Sequence, residues 1–440
     1  MASKGTPATP ATAANNKLQA GDRAAHDWYR FVLSFPPHLV RDYLERFGVD
    51  STAAVLDPFC GTGTTLVECK KLGIPSIGIE AHPMACLASR VKTDWSPDPE
   101  VMLAHAEHVA ELTLAKLRSQ GIDDAFFFSA PTHPTTPLRS LPPGRMRLLL
   151  KNSISPLPLH KTLVLLDRLD QRRDDRFHDH ERLALAKALI ESIGNLHFGP
   201  EVGVRKPKDD APVTGSWLKC LQAMARDLRE LGPLAGGPAV VHRADARAVA
   251  DILEPQSIDA VITSPPYPNE KDYTRATRLE SVLLAMVRSR DELRALKDGL
   301  VRSNTRNVYV RDDDDSWVAD HSEVQRIAEA IEARRIKLGK TSGFERSYHR
   351  VVRLFFGGMA RHLAGLRTAL RPGARLAYVV GDQASFLRVM IRTGQILADI
   401  AQSLGYEILG IDLFRTRFAT ASREQLREEV VVLRWPGASQ

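Results

Sequence analysis

Apolar positions along the chain alternate between short compact runs and longer stretches with helical spacing, the rhythm of an α/β protein. Ala53-Ala54-Val55-Leu56 is a compact run that leads into a glycine turn and predicts a buried strand. A helix over about 64–72 and a second strand at Ser76-Ile77-Gly78-Ile79 complete a β-α-β unit. Upstream, Trp28, Phe31, Val32 and Phe35 mark an apolar face ending at Pro36-Pro37, and a helix is predicted from His38 to Phe47. The rhythm returns in the C-terminal half, where Val240-Val241-His242, Ile258 to Ile262, Ala377 to Val380, Glu407 to Leu413 and Glu429 to Leu433 predict strands. A helix from His349 to Leu370 should stop at Arg371-Pro372-Gly373.

Two stretches break this pattern. Residues 95–238 carry helical spacing, as from Glu181 to Ile193, around a proline-rich basic run at 131–158. Residues 293–348 are polar and charged. The expected organisation is therefore a catalytic domain built from 21–94 and 239–440, a large helical insertion at 95–238 and a second insertion at 293–348. The fold class expected is α/β, a Rossmann-like sheet of about seven mostly parallel strands. No internal repeat is visible.

Composition narrows the classes. With 440 residues, 43% hydrophobic and 26% charged, the chain can bury a sizeable core. Its formal net charge of +7 favours a polyanionic partner. Cys60, Cys69, Cys86 and Cys220 include no Cys-x-x-Cys pair, which argues against a disulfide framework or a cysteine zinc site. No run approaches the roughly 18–20 apolar residues of a membrane span. Met1 to Ala20 is rich in Ala, Thr and Pro and lacks both an apolar signal core and arginine. It reads as a disordered leader (1–20) that argues against secretion or organelle import, so a cytoplasmic location is expected.

Two segments carry candidate chemistry. Asp57-Pro58-Phe59-Cys60-Gly61-Thr62-Gly63-Thr64-Thr65 lies between a predicted strand and a predicted helix, where glycines let a ligand approach the main chain. Glu80 follows Gly63 by 17 residues, at the end of the next strand, where a carboxylate can take both hydroxyls of a ribose. A Gly-x-Gly turn can also be purely structural, and Leu66 stands where a dinucleotide fingerprint has its third glycine. The second segment, Ser264-Pro265-Pro266-Tyr267, follows the strand Ile258 to Ile262. A strand end of this kind delivers side chains to the ligand edge of an α/β sheet. An exocyclic amino nitrogen is a poor nucleophile. Acceptors aimed at its hydrogens, such as Ser264 Oγ and the Pro265 carbonyl, would favour the positive charge that develops when it attacks an electrophile. The prolines stiffen the loop, and Tyr267 offers a flat face on which a planar ring can stack. The bland alternative is a Ser-Pro-Pro turn with a half-buried tyrosine.

Together these segments resemble the amino-group DNA methyltransferases, with similarity over about 25–94 and 240–435. It continues through Asn269, Asp272-Tyr273-Thr274-Arg275, Gly381-Asp382 and Arg417 to Leu433. The resemblance implies S-adenosylmethionine as cofactor. Asp57, Gly61 and Gly63, with Pro58, Phe59, Thr64 and Thr65 of the same loop, would hold its methionine part. Glu80 would bind the ribose and Asp245 would approach the adenine amino group. Phe35 and Pro37 belong to an entry segment that closes over the cofactor. The implied catalytic group is Ser264, Pro265, Pro266 and Tyr267, acting by base flipping and direct transfer.

Serine at the first motif position is typical of cytosine-N4 enzymes, whereas adenine-N6 relatives more often carry Asp or Asn. The implied partner is double-stranded DNA, contacted by Asn269, Tyr273 and Arg275 and, from the large insertion, by Arg145, Arg147, Lys151 and Lys206. A separate restriction endonuclease is a possible further partner. Many relatives place the Pro-Pro-Tyr loop before the glycine loop, and here it follows. The alternatives are an adenine-N6 DNA enzyme, an RNA amino-group methyltransferase and an inactive DNA-binding subunit.

Other signals read as structural. Gly339-Lys340-Thr341 lacks the first glycine of a phosphate loop and has no strand before it. His178-Asp179-His180-Glu181 reads as a solvated helix start and Asp312 to Asp315 as a solvated loop, neither of them a metal site.

Overall fold

The computed structural model of the chain describes residues 18–30, 34–124, 134–199, 202–234, 236–269, 271–418 and 425–437. Most of the expected leader, and Phe31 and Val32 of the expected N-terminal apolar face, lie outside them. Trp28 of that face sits in a single turn, His26–Trp28, and is buried.

From there the chain enters α1 (Pro37–Phe47), β1 (Val55–Asp57), α2 (Thr64–Lys71), β2 (Ser76–Ile79) and α3 (Pro83–Thr93). A helical stretch follows: α4 (Pro99–Arg118), the short α5 (Pro143–Met146), α6 (Pro156–Gln171), α7 (His178–Ala188), the hairpin β3 (Leu196–Phe198) and β4 (Val202–Val204), and α8 (Val213–Leu231). Next come β5 (Ala239–His242), β6 (Ile258–Thr263), α9 (Tyr273–Ala276), α10 (Arg278–Leu283), α11 (Arg290–Asp298), α12 (Ser322–Lys337) and α13 (Tyr348–Leu366). The chain ends with β7 (Leu370–Gly381), α14 (Thr393–Ser403), β8 (Glu407–Phe418) and β9 (Gln425–Arg434).

Seven strands form one sheet in the order β5-β2-β1-β6-β7-β9-β8, in which β9 pairs antiparallel with both β7 and β8 and the other pairings are parallel. This is the Rossmann-like α/β architecture expected. Through the middle of the sheet, side chains alternate between its two faces. Val55, Ala260, Ile262, Ala377, Val379, Val430 and Val432 face α1, while Leu56, Val261, Leu376, Tyr378, Val380, Val431 and Leu433 face α12, α13 and α14. A third apolar cluster joins the helices of 99–231 to α3 and α10 through Met84, Leu87, Val91, Trp217 and Leu279.

Three local expectations change. The helix from His349 stops at Leu366, because the Ala369 carbonyl is drawn into the sheet by the Ser257 and Ile258 amides. Arg371-Pro372-Gly373 lies in a bulge of β7, since Ile258 pairs with Leu370 but Ala260 pairs with Arg375. The polar stretch 293–348 contributes Val301, Val318, Val324, Ile327 and Ile331 to the core beneath α13.

Candidate active site

Sheet order reverses between β1 and β6, and α/β ligands bind in the crevice at the carboxyl ends of such strands. Both candidate loops leave from that point. The glycine turn follows β1 and the Ser-Pro-Pro-Tyr segment follows β6. Asp57 joins them. Buried completely, its Oδ1 accepts from Thr263 Oγ1 at 2.6 Å and from the Phe59 amide at 3.2 Å. Thr65 reinforces the junction by donating to the Ile262 carbonyl at 3.1 Å. Burial pushes the Asp57 carboxyl up to about 6, and its Oδ2 has no hydrogen-bond partner among the described residues.

The turn itself is set by Gly61 and Gly63, with φ of 51° and 85°. A Cβ on Gly63 would meet Ser89 Oγ at 2.8 Å, so this glycine serves close packing on α3. A Cβ on Gly61 would meet only the Phe59 carbonyl, at 4.0 Å, so this backbone remains open to a ligand. Glu80 accepts from the Gly61 amide at 2.9 Å and the His82 amide at 2.7 Å. Burial raises its carboxyl to about 7 against those two hydrogen bonds.

A cavity of about 290 Å³ opens between the two loops. Of the expected cofactor residues, Phe35, Pro58, Phe59, Gly61, Thr64, Glu80 and Asp245 line it, as do Ser264, Pro265, Pro266 and Tyr267. Asp57, Gly63, Thr65 and Pro37 lie behind that wall. Pro37 begins α1, where a missing amide is harmless. Ser264 Oγ donates to the Val379 carbonyl at 3.1 Å. Tyr267 lies against Gly381, where a Cβ would meet its Cε2 at 3.1 Å. One compartment thus holds an open glycine backbone, a ribose-compatible carboxylate and a hydroxyl beside an aromatic ring.

Comparison with known proteins finds similarity to DNA methyltransferases. A family model described as DNA methylase matches residues 10–90, the stretch that carries the glycine turn. Type II methyltransferase M.BsoBI of Geobacillus stearothermophilus is 24% identical over 440 residues, covering 94% of this chain and 84% of that protein. Type II methyltransferase M.AvaI of Anabaena variabilis is 23% identical over 443 residues, covering 93% and 86%. Type II methyltransferase M.MjaII of Methanocaldococcus jannaschii is 44% identical over 68 residues, 15% of this chain and 12% of its own. The chain is thus similar to DNA methyltransferases along most of its length, and most strongly around the glycine turn.

The residues expected at DNA are dispersed in the structure. Tyr273 lines the cavity, Asn269 is buried with its Oδ1 on the Lys271 amide, and Arg275 is half-buried in α9. Arg145 donates to the Val282 carbonyl at 2.6 Å, so it braces α5 against α10. Arg147, Lys151 and Lys206 are exposed.

Several wall residues escaped sequence reading. His82 caps α3 through Nδ1, which accepts from the Met84 amide at 3.2 Å, and its Nε2 meets Thr277 Oγ1 at 2.9 Å. This neutral ring ties the glycine-turn side of the cavity to the end of α9, and burial holds its pKa near 4. Arg415 and Glu428, paired at 2.5 Å, close the cavity beside Tyr267. Gly299, Ser303, Asn304 and Asn307 enter from a segment without a motif.

Two readings of charged runs are corrected. His178, His180 and Glu181 do start a helix, but they are buried, because α7 packs inside the helical cluster. Glu181 is held by His105 Nδ1 at 2.8 Å and His180 by the Asp94 carbonyl at 3.0 Å. Asp314 is buried in ion pairs with Arg247 and Arg361, and Asp312 pairs with the buried Arg302, so that run is not a solvated loop. Among the described residues no group of His, Cys, Asp and Glu is placed to hold a metal ion, and no helix is long and apolar enough to cross a membrane.

Proposed function

We propose that the chain transfers a methyl group from S-adenosylmethionine to the N4 amino group of cytosine in double-stranded DNA. The observation that carries this reading is the single cavity shared by the glycine turn, Glu80 and the Ser264–Tyr267 loop. Serine at the head of that loop supports cytosine-N4 over adenine-N6. The cofactor fits the residues present. The open Gly61 backbone admits a ligand, and Glu80, which lines the cavity, suits a ribose diol.

S-adenosylmethionine, when bound, supplies an electrophilic methyl group. Ser264, its own proton given to the Val379 carbonyl, presents lone pairs to an amino hydrogen of the base. The Pro265 carbonyl is the second acceptor, and Pro266 fixes the loop so that neither acceptor must reorganise. Tyr267, backed by Gly381, supplies the stacking face. The Type II naming of the relatives supports a role as the modification enzyme of a restriction-modification pair, with a separate endonuclease as partner. Nucleoside mass spectrometry of DNA from expressing cells tests the reaction. N4-methylcytosine is expected, and N6-methyladenine alone would overturn the base assignment.

Two further results are expected. In the free protein Glu80 binds its proton up to about pH 7, whereas ribose hydroxyls donate to the ionised form. Cofactor binding near pH 7 should therefore release up to about half a proton, and affinity should rise with pH until about 7 and then level off. Calorimetry in buffers of different ionisation enthalpy would read that release, and Glu80→Gln should abolish it.

The second concerns the exposed basic residues. Neutralising Arg147, Lys151 or Lys206 should each reduce the slope of log affinity against log salt by about one if they meet phosphates. Arg145→Ala should instead lower stability, because its guanidinium holds the Val282 carbonyl. An unchanged salt slope in the triple variant would remove this surface from the DNA path.

A further inference from the structure

We infer that Asn307 reads the adenine amino group of the cofactor, an assignment that rests on the S-adenosylmethionine reading above. The segment that carries it is built into the cavity wall. Gly299, Ser303, Asn304 and Asn307 all line the cavity. The backbone there is held from within by Arg302, which pairs with Asp312 at 2.7 Å and donates to the Lys297 and Asp298 carbonyls at 2.9 and 3.2 Å. Asn304 caps the turn Thr305–Asn307 by accepting from the Arg306 amide at 3.0 Å, and its Nδ2 reaches the Lys271 carbonyl at 3.2 Å. The Asn269 amide donates to the Ser303 carbonyl at 2.8 Å, so the segment is also tied to the loop beyond Tyr267.

Position points to the nucleobase. With the methionine part at the glycine turn and the ribose at Glu80, the base extends toward β5, the strand beside β2. Asp245 follows β5, and Gly299 shares with it a neighbouring cleft. Asp245 was the expected acceptor for the amino group, but both its oxygens already accept from Arg247. Oδ1 takes the Arg247 amide at 2.9 Å and Nε at 3.1 Å, and Oδ2 takes Nη2 at 2.7 Å. The same guanidinium reaches the Asp298 carbonyl at 3.0 Å, which joins the Asp245 turn to the start of the 299–307 segment.

Asn307 supplies the acceptor that is missing there. It is 2% exposed, its Nδ2 contacts the Val301 carbonyl at 3.5 Å, and its Oδ1 has no partner among the described residues. Exchanging the two ends would turn that contact into oxygen against oxygen, so the assigned orientation is the sound one. A buried carbonyl without a donor is costly, and a ligand amino group would satisfy it. A neutral acceptor at this place would select a 6-amino purine over one without that group.

The test uses S-adenosylhomocysteine and its purine analogue lacking the 6-amino group, with affinities measured by calorimetry on the full chain. The wild type should prefer the adenine compound by about tenfold to hundredfold. Asn307→Leu should bind both within about threefold, while Asn307→Asp, which keeps an acceptor, should retain part of the preference. A wild type that binds S-adenosylhomocysteine without preference overturns the assignment even if no variant folds. A leucine variant that melts like the wild type and keeps the full preference overturns it as well. A wild type that binds neither compound fails at the cofactor reading itself.

Discussion

Ser264→Ala should lower single-turnover methyl transfer to duplex DNA by about 10²- to 10³-fold, a barrier increase of about 3–4 kcal/mol. The Ser264 hydroxyl lines the cavity and spends its proton on the Val379 carbonyl at 3.1 Å, which directs lone pairs elsewhere. On the proposed reaction, those lone pairs matter most when the amino group gains positive charge, so the loss falls on the chemical step. Cofactor affinity should stay within about threefold of the wild type, because the serine sits on the base side of the cavity. Labelled-methyl transfer under enzyme excess reads the rate, and calorimetry reads the affinity. A full single-turnover rate in the alanine variant would place the chemistry elsewhere, whereas a fall in affinity alone would make Ser264 a cofactor ligand.

Gly357→Ala should destabilise the protein by about 3 kcal/mol or prevent folding. A Cβ at this position in α13 would lie 1.8 Å from the Asp314 carbonyl and 3.0 Å from the Asp315 amide, and backbone atoms cannot turn aside as a side chain can. The turn that would be displaced carries the buried Asp314, which pairs with the buried Arg247 and with the more exposed Arg361. Its movement would loosen the Asp245–Arg247 turn and the wall beside it, so ligand affinity should fall with stability. Gly365→Ala, in the same helix, is the control. Its Cβ would find Val249 at an ordinary 3.5 Å, and the change should lie within about 1 kcal/mol of wild type. Chemical denaturation of both variants checks the pair. Equal midpoints would refute the close packing of α13 on Asp314.

The sheet was legible in the sequence because strand burial has a period of two and the glycine turn is chemically explicit. Val55-Leu56, Ile258 to Ile262, Ala377 to Val380 and Glu429 to Leu433 all became strands of the sheet, and Gly61 and Gly63 adopt the left-handed angles that their type permits. Strand topology then explains why two loops far apart in sequence meet, since β1 and β6 are hydrogen-bonded neighbours at the reversal point. Glu80 is the same kind of case, placed by the end of β2.

Tertiary structure alone decided which charged and polar residues are spent and which face the cavity. His178-Asp179-His180-Glu181 and Asp312 to Asp315 have the composition of solvated runs, yet packing buries His180, Glu181 and Asp314. Arg145 looked like a phosphate ligand until the Val282 carbonyl claimed it. Asn307, in a stretch with no motif, reached the cavity only because Arg302, Arg247 and Asn304 fold that stretch back against the loops. Local sequence specifies backbone angles and periodicity. Desolvation and hydrogen-bond completion depend on neighbours distant in the chain, so the partners of a buried polar atom emerge only when the fold closes around it.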